Sequence, residues 1–470
     1  MSRRKHKIAG WLPWAALACL VVPMFASYYF DDMFSSISYL FESPSLTALG
    51  WDAAGYGLYT SGYSVLCVFG GLVVCGILLD KWGVRITGSI FVGMMVLGAA
   101  MVTGAVLHGG KASLTVAYIG CMFFGLGSEI AGTAVTRSIA KWFKGGPMAL
   151  AMGLQLAIAR LGTAFALVLS PKLVVQVSGH VYTLAETARP ALVGMGLMAA
   201  GLIAWAIFVA LDAGHGKNKI AGQTGNDGAV APVMPDSDRA SSDAEQFRLS
   251  DVLKVLGNKN FWLLGLLCVL FYSSIIAFKK FAGAILVPRF DIPASAAGWM
   301  VSMLPFSTVV FAPLFGLMVD KLGHGTRWMI AGAVLALGAH LMLAFAPQGV
   351  PFWGYLSMVL LGFGYSLVPA ALWPSVPKIV PDKVLGTTFA LIYWVQNLGL
   401  LSFKMLAGGI LNSASGTSGT AEAVASTCTL TGPVSVELMF TGLCIAALVV
   451  ALLFARESSR NPALGLDRPN

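Results

Sequence analysis

Two residues of opposite charge, Glu129 and Arg160, stand inside long apolar stretches of the sequence. A charge in an apolar environment costs several kcal/mol unless it is paired or hydrated, so such residues are candidates for function. Small residues such as Gly127 and Gly132 flank the acid and leave room for a ligand or for close helix packing. This setting predicts binding of a small molecule with one positive and one negative end. The alternative is a permanent buried salt bridge, although such pairs seldom add net stability.

The spacing of the two residues places them at a similar depth if their segments are consecutive membrane-spanning helices. Glu129 precedes the turn near Lys141 by twelve residues, and Arg160 follows the turn near Pro147 by thirteen. At about 1.5 Å per residue, both are then roughly 18–20 Å from the same end, near the middle of a bilayer. The two charges can therefore pair with each other or receive the two ends of a zwitterion.

The second half of the chain repeats this hairpin with different chemistry. Arg-Leu-Gly at 160–162 corresponds to Asn-Leu-Gly at 397–399, and Glu129 corresponds to Ser366. One wall of a central cavity is thus predicted to be ionic and the other to carry amide and aromatic side chains. The candidates for the second wall are Tyr365, Trp373, Tyr393, Trp394, Gln396 and Asn397. For each aromatic residue alone, ordinary packing or a place at the membrane interface is the alternative.

A polar aromatic cluster ends the first apolar segment. It consists of Tyr28, Tyr29, Asp31 and Asp32. Carboxylates at the mouth of a cavity can attract an incoming ammonium group, so we expect this cluster to contribute to binding. A solvated helix end is the alternative.

Three lysines and one histidine also fall within apolar segments. Lys279 and Lys280 lie deep in the seventh segment, where they can attract an anionic group or extend to the interface. Lys404 is expected to extend to the interface. His340 is expected to pack among its neighbours or to bond a carbonyl oxygen.

The composition of the chain shows what surrounds these residues. Of 470 residues, 57% are apolar and 11% are charged, and the mean hydropathy is +0.79, which a water-soluble fold cannot bury. A helix needs roughly 20 residues to cross about 30 Å of hydrocarbon. Twelve such spans are predicted near 10–30, 53–79, 85–107, 114–138, 147–174, 190–212, 261–287, 296–319, 326–346, 352–377, 384–410 and 436–455. The sequence therefore predicts an all-α membrane protein with twelve transmembrane helices.

A change in composition divides the spans into two halves. Residues 213–246 are rich in Gly, Asn, Asp, Ser and Pro and cannot pack a core, and an amphipathic segment follows at 247–257. We predict a six-helix bundle at 1–212, a cytoplasmic linker at 213–260 and a second six-helix bundle at 261–470. Lys and Arg concentrate in alternate connectors, so the positive-inside rule predicts that both termini are cytoplasmic.

A short motif occurs at matching places in the two halves. Its copies are Gly76, Asp80, Lys81, Gly83 and Arg85 between spans two and three, and Gly316, Asp320, Lys321 and Gly323 between spans eight and nine. The glycines allow helix ends to approach closely, and the basic residues are expected to hold a cytoplasmic gate. The paired motif resembles the signature loop of the major facilitator superfamily and implies that fold. The alternative is a pair of glycine turns with positive-inside charge.

Several function classes have no local signal. The net charge of +9 is spread along connectors instead of one face, so nucleic-acid binding is not predicted. The seven cysteines have no metal-binding spacing. Nucleotide-binding loops and hydrolase motifs such as GxxxxGK[ST], HExxH and GxSxG are missing from the sequence. We therefore predict a protein that is not an enzyme, that uses no cofactor and that is driven by gradients.

The segment from Gly125 to Gly162 resembles a family of lysosomal dipeptide transporters, and its bacterial relatives, within that superfamily. The shared pieces are GSE at 127–129, WFKG at 142–145, GLQL at 153–156 with Gln155, ARLG at 159–162, SYY at 27–29, LWP at 372–374, LGT at 385–387 and QNLG at 396–399. The resemblance covers most of both halves. It implies passage of short peptides, with Glu129 and Arg160 engaging the charged peptide termini.

Two departures from that family bear on location and substrate. The N-terminus carries no acidic dileucine sorting signal, which favours a bacterial inner membrane. Lys279 and Lys280 are unlike the family and leave the substrate preference open.

These observations predict an alternating-access carrier of zwitterionic solutes, most of all dipeptides, that acts as a monomer in the lipid bilayer. Arg160 is expected to hold the peptide carboxylate and Glu129 the amino group. The rest of the peptide is expected to contact Trp373, Gln396 and Asn397. One alternative is a proton-coupled organic-anion carrier, in which Glu129 titrates and Arg160 or Lys279 binds a carboxylate. Another is a non-transporting membrane sensor that signals through its linker.

Overall fold

The chain folds into twelve α-helices in the computed structural model, which describes residues 10–42, 49–144, 147–174, 182–223, 255–380, 385–415 and 421–468. The helices are α1 (Leu12–Asp32), α2 (Ala53–Leu66), α3 (Leu72–His108), α4 (Ser113–Trp142), α5 (Met148–Leu173), α6 (Leu184–Gln223), α7 (Lys259–Phe290), α8 (Ala294–Leu322), α9 (Gly325–Phe345), α10 (Pro351–Ile379), α11 (Leu385–Ser415) and α12 (Ala421–Arg460). Helices satisfy their own backbone polar groups, as a lipid environment requires.

Within the described ranges, eleven helical segments are long and apolar enough to cross a membrane. The second predicted span is instead divided into α2, a π-helical turn at Cys67–Gly71 and the start of α3. In that turn Gly70 has a φ of +92°, a left-handed conformation that glycine adopts without steric cost. The chain turns again inside α3 at Gly83, whose φ is +75°. The prediction of an all-α fold with twelve helices is confirmed for the described residues, whereas eleven of the twelve predicted spans qualify by length and apolar character.

Helix α6 continues to Gln223, past residue 213, where the linker was predicted to begin. Residues 224–254 hold most of the predicted linker and of its amphipathic segment, and they lie outside the described ranges.

The helices pack as two bundles, α1–α6 and α7–α12. We call the side where α1 begins, α6 ends, α7 begins and α12 ends the terminal face, and the other side the opposite face. Contacts between the bundles run from α2 to α11, from α5 to α8, and from α7 to a 3-10 segment at Ser35–Glu42 that follows α1.

Glycines allow backbone contact between the bundles near the opposite face. A Cβ atom at Gly57 of α2 would lie 2.8 Å from the carbonyl oxygen of Lys404, and one at Gly408 of α11 would lie 2.5 Å from that of Ala53. Such distances leave no room for a side chain. The bundles are therefore held together on the opposite face.

On the terminal face, Asp212 of α6 binds basic residues of α3 and α4. Its carboxylate accepts hydrogen bonds from Arg85 Nε at 2.6 Å and Lys141 Nζ at 2.9 Å, and from Trp142 Nε1 at 2.8 Å. Arg85 belongs to the predicted gating motif, and its partner lies in its own bundle. This ion pair fixes α3 and α4 against α6.

The other residues of the gating motif take several positions. Gly316 lies within α8, and Lys81, Asp320 and Lys321 are exposed. Gly323 ends α8 with a φ of +65°. The surroundings of Gly76 and of the Asp80 side chain lie outside the described part of the chain. A role of these residues in gating stays a prediction.

The second bundle has a matching carboxylate after α12. Asp467 accepts hydrogen bonds from the Thr326 backbone nitrogen at 3.0 Å, from the Thr326 hydroxyl at 2.8 Å and from the Ser458 hydroxyl at 2.7 Å. Burial opposes ionisation, but the hydrogen bonds from Ser458 and Thr326 outweigh it and hold the pKa of Asp467 below its usual value. The carboxylate ties the chain after α12 to the start of α9.

We expect Asp467→Asn to lower the thermal unfolding temperature by a few degrees at pH 7, since hydrogen bonds to a charged group contribute about 1.5–3 kcal/mol. A carboxylate with a lowered folded-state pKa stabilises above its unfolded pKa of about 3.9, and that contribution disappears as the pH falls through the folded value. The difference between variant and wild type should therefore shrink from pH 7 toward pH 4. Melting curves of the purified protein test this, with the exposed Asp291→Asn as control; a pH-independent difference would contradict it.

Candidate functional site

Arg160 projects from the middle of α5 toward the second bundle. Its Nη1 donates a hydrogen bond to the hydroxyl of Tyr365 on α10 at 2.9 Å. The guanidinium carbon lies 5.7 Å from the ring centre of Tyr28 and 5.4 Å from that of Tyr365. The ion pairs of the described residues do not include Arg160. Since a guanidinium has five N–H donors, most of them remain available to an anionic ligand.

A small cavity adjoins Arg160 and is shared by the two bundles. Arg160 and Thr163 of α5 line it from one side, and Ile276 and Lys279 of α7 with Leu304 of α8 line it from the other. A ligand held by Arg160 would therefore contact both halves of the molecule.

Glu129 is half-buried on α4, beside α2 and α1. Its Oε1 accepts a hydrogen bond from the hydroxyl of Tyr63 at 3.1 Å. The same hydroxyl lies 3.3 Å from Ser128, whose own hydroxyl is bonded to that of Ser27. These contacts orient the carboxylate and leave it able to accept further hydrogen bonds.

Glu129 and Arg160 do not form the permanent salt bridge that the sequence left open, since the described ion pairs do not join them. Glu129 is thirteen residues before the end of α4, and Arg160 is twelve residues after the start of α5. The similar depth expected for them is therefore retained. Tyr28 lies within the electrostatic reach of both charges.

Aromatic side chains of the second bundle face this site. Trp373 of α10 donates a hydrogen bond from Nε1 to the Tyr272 hydroxyl at 3.0 Å and stacks on Tyr393 with ring centres 5.1 Å apart. Tyr272 in turn meets Tyr365 edge to face at 6.1 Å. The stack extends to Phe389. Trp373 and Tyr365 thus belong to one aromatic cluster that reaches Arg160, and Tyr272 is a member that the sequence did not indicate.

The predicted amide residues occupy different surroundings. Asn397 is 4% exposed, donates from Nδ2 to the Tyr393 carbonyl at 3.1 Å, and has an Oδ1 without a partner in the described structure. Gln396 accepts a hydrogen bond from the Cys268 thiol at 3.5 Å and so faces α7. Gln155 is half-buried on α5. Their contact with a ligand stays a prediction.

The structure separates the two adjacent tyrosines of α1. Tyr28 lies beside Arg160, whereas Tyr29 is fully buried and donates a hydrogen bond to the Pro190 carbonyl of α6 at 3.3 Å. Successive residues on a helix point about 100° apart, so the two cannot share one surface. The side chain of Tyr29 is enclosed within the first bundle, away from Arg160, and a contact of Tyr29 with substrate stays a prediction.

Lys279 and Lys280 form a buried ion cluster with the acidic end of α1. Lys279 Nζ lies 2.6 Å from Asp32 Oδ2, and Lys280 Nζ lies 3.0 Å from Asp32 Oδ1 and 2.8 Å from Asp31 Oδ2. Thr163 of α5 donates to Asp32 at 2.8 Å. The sequence indicated Asp31 and Asp32, and separately Lys279 and Lys280, as residues that contact a ligand. It did not indicate that the two acids contact the two lysines. Their carboxylate and ammonium groups join the bundles on the opposite face.

A second buried pair was not predicted. His340 Nδ1 of α9 lies 2.8 Å from Glu437 Oε2 of α12, and both side chains are at most 1% exposed. We expected His340 to pack among its neighbours or to bond a carbonyl oxygen; its ring does pack against Phe278 and Phe440, but its hydrogen-bond partner is a carboxylate. The sequence signal that could have indicated this pair was one ionisable residue in each of two apolar segments of the same half. The pair links α9 to α12 within the second bundle.

Among the described residues, no group of three or more His, Cys, Asp and Glu side chains could hold a metal ion.

The sequence matches the family model described as Major Facilitator Superfamily over residues 17–403 and 281–468. It is similar to the lysosomal dipeptide transporter MFSD1 of Danio rerio, with 28% identity over 420 residues that cover 88% of this chain and 80% of that protein. The same transporter of Homo sapiens is 28% identical over 365 residues, which cover 76% of this chain and 71% of that protein.

Solved structures share the fold. The nucleoside transporter NupG superimposes with a TM-score of 0.66 at 15% identity, covering 94% of this chain and 98% of that one. A bacterial homologue of the human drug peptide transporters PepT1 and PepT2 superimposes with a TM-score of 0.61 at 14% identity, covering 95% of this chain and 99% of that one. At such identities the likeness concerns the fold alone.

Proposed function

The chain belongs to the major facilitator superfamily, and from that membership we propose that it carries dipeptides and other short zwitterionic peptides by alternating access. Like the relatives that it matches, it is an integral membrane transporter. It is not an enzyme. Those relatives are named dipeptide transporters, which supports the substrate class.

One observation carries the proposal: in the ion pairs of the described residues, Arg160, which lines the cavity, has no carboxylate partner, and Glu129 on the neighbouring helix α4 has no basic partner. Arg160 is contacted by Tyr28 and Tyr365, and Glu129 by Tyr63. Charges inside a membrane protein are costly unless a partner neutralises them. A peptide carboxylate on Arg160 and a peptide ammonium on Glu129 would neutralise both at once.

The ion cluster of Asp31, Asp32, Lys279 and Lys280 supplies the gate in this proposal. It joins α1 to α7 on the opposite face, and Asp32 also reaches Thr163, one turn beyond Arg160 on α5. Alternating access requires this cluster to separate when the bundles rock apart on that face. Asp32 and the lysines then act as gate residues more than as peptide ligands.

A proton-coupled organic-anion carrier is the second candidate, because Arg160 and Lys279 line one cavity. Lys279 already lies 2.6 Å from Asp32, which reduces its attraction for an anion. The third alternative, a non-transporting sensor, is set aside because the matched relatives are transporters.

The cytoplasmic position of both termini, the monomeric state and the bacterial inner membrane stay predictions. The relatives matched carry the word lysosomal in their names, which gives the inner-membrane assignment no support.

A thermal-shift series on the purified protein separates the two candidates. A ligand that binds only the folded state at 100 times its Kd adds about 2.7 kcal/mol of stability. We expect dialanine to raise the unfolding temperature, and propionate at equal concentration to leave it unchanged. Uptake of labelled dialanine into proteoliposomes, compared with empty vesicles, confirms transport. Stabilisation by propionate alone would favour the organic-anion carrier and contradict the peptide proposal.

A further inference from the structure

Lys404 of α11 is buried between the bundles, contrary to the expectation that it extends to the membrane interface. Its side chain is 2% exposed. The residue sits where α11 touches α2, since its own carbonyl oxygen lies against Gly57. The prediction from sequence is wrong because this helix contact holds the side chain on the inner side of α11.

The ammonium group of Lys404 has unusual partners for a buried charge. Nζ donates a hydrogen bond to the Thr60 carbonyl at 3.2 Å and lies 5.5 Å from the ring centre of Tyr63. The ion pairs of the described residues do not include it. A buried ammonium held only by a carbonyl and an aromatic face is costly, so its presence calls for a compensating charge nearby.

Tyr63 connects this lysine to the candidate site. The phenol whose ring faces Lys404 donates its hydroxyl hydrogen to Glu129 at 3.1 Å. A cation over the ring draws electron density from the hydroxyl and so strengthens this hydrogen bond. The charge of Lys404 also acts directly on the Glu129 carboxylate, whereas that of Asp31 opposes it.

We propose that Lys404 is a specificity-determining residue of the peptide site: through Tyr63 and through its own charge, it keeps Glu129 an ionised acceptor that selects substrates with a free amino group. This inference rests on the proposed function and adds a residue from the second bundle to the amino-end subsite. That subsite is then complete only while α2 and α11 are in contact, so free-amino selectivity is highest when the opposite face is closed.

Several other groups face these two residues. Around Glu129 they are Tyr63 of α2, Tyr28 and Asp31 of α1 and Tyr393 of α11. Around Lys404 they are Asp31 of α1, Lys279 and Lys280 of α7 and Cys121 of α4. Asp31, Lys279 and Lys280 belong to the ion cluster. Among these described residues, Lys404 is therefore the basic residue whose charge acts on Glu129 and that lies outside the ion cluster.

The test compares two ligands that differ only at the amino end, dialanine and N-acetyl-dialanine, by calorimetry on the full chain in detergent at pH 6. For wild type, acetylation should weaken binding. For Lys404→Met, dialanine binding should fall by about tenfold while binding of the acetylated peptide is unchanged, so the preference disappears. Lys111→Met, at an exposed position between α3 and α4, is the matched control.

Lys404→Gln, which keeps a donor for the Thr60 carbonyl, replaces Lys404→Met if the latter does not fold. Equal weakening of both ligands would assign Lys404 a purely structural role and overturn the inference, as would an unchanged preference. Failure of wild type to bind dialanine would overturn the proposed function and this inference together.

Discussion

Replacing Arg160 with alanine is expected to lower dialanine uptake about 30-fold or more. Truncating one partner of a buried, hydrogen-bonded charge pair costs about 2–5 kcal/mol, and each 1.4 kcal/mol is a factor of ten in affinity. Arg160 is contacted by Tyr28 and Tyr365 but by no carboxylate among the described ion pairs. Its removal therefore takes away a ligand contact without leaving a buried acid behind.

The ligand series makes this prediction specific to the carboxylate. Dialanine amide lacks the carboxylate, so wild type and Arg160→Ala should bind it equally weakly in a calorimetric titration. Arg189→Ala removes an arginine of α6 that is exposed and bonded to the Leu173 carbonyl, and it should leave dialanine uptake unchanged. If Arg160→Ala weakened the amide and the free peptide by the same factor, Arg160 would be acting on the fold and not on the carboxylate.

The helices and the depth of the charged pair followed from the sequence because both depend on position along the chain. Apolar length fixes where a helix spans a membrane, and residue spacing from a turn fixes depth. Glu129 and Arg160 are accordingly at similar depth in α4 and α5. The break at Gly70 was missed, because a glycine within an apolar run also fits an unbroken helix.

The partners of buried residues did not follow from the sequence, because they depend on how each helix is rotated about its axis. Tyr28 and Tyr29 are adjacent, yet one lies beside Arg160 and the other against α6. Lys404 was assigned to the interface, since an apolar segment gives no sign of which side meets a neighbouring helix. Asp32 and Lys279 are 247 positions apart, so their contact depends on the packing of two bundles.

The gate gives the last prediction: Asp32→Asn should open the opposite face. Asp32 is the carboxylate in ion-pair contact with Lys279, whose side chain is 11% exposed. Removing one partner of a buried pair is destabilising by about 3–5 kcal/mol, because the remaining charge has no compensation. A cysteine placed at Ile276, which lines the cavity beneath the gate, should then react at least about tenfold faster with a membrane-impermeant maleimide from the opposite face, in a cysteine-free background.

Two variants separate the loss of one charge from the loss of the whole pair. In Asp31→Asn, Lys280 retains its ion pair with Asp32, in which Nζ lies 3.0 Å from Oδ1. The labelling rate should therefore change little. In Asp32→Asn with Lys279→Met, the uncompensated ammonium is gone and an apolar side chain fills its place, which is often neutral or stabilising for a buried pair. Labelling in the double variant should therefore be slower than in Asp32→Asn alone. If Asp32→Asn and the double variant both labelled at the wild-type rate, the ion pair would not be the gate, and the bundles would be held closed by the glycine contacts of α2 and α11 instead.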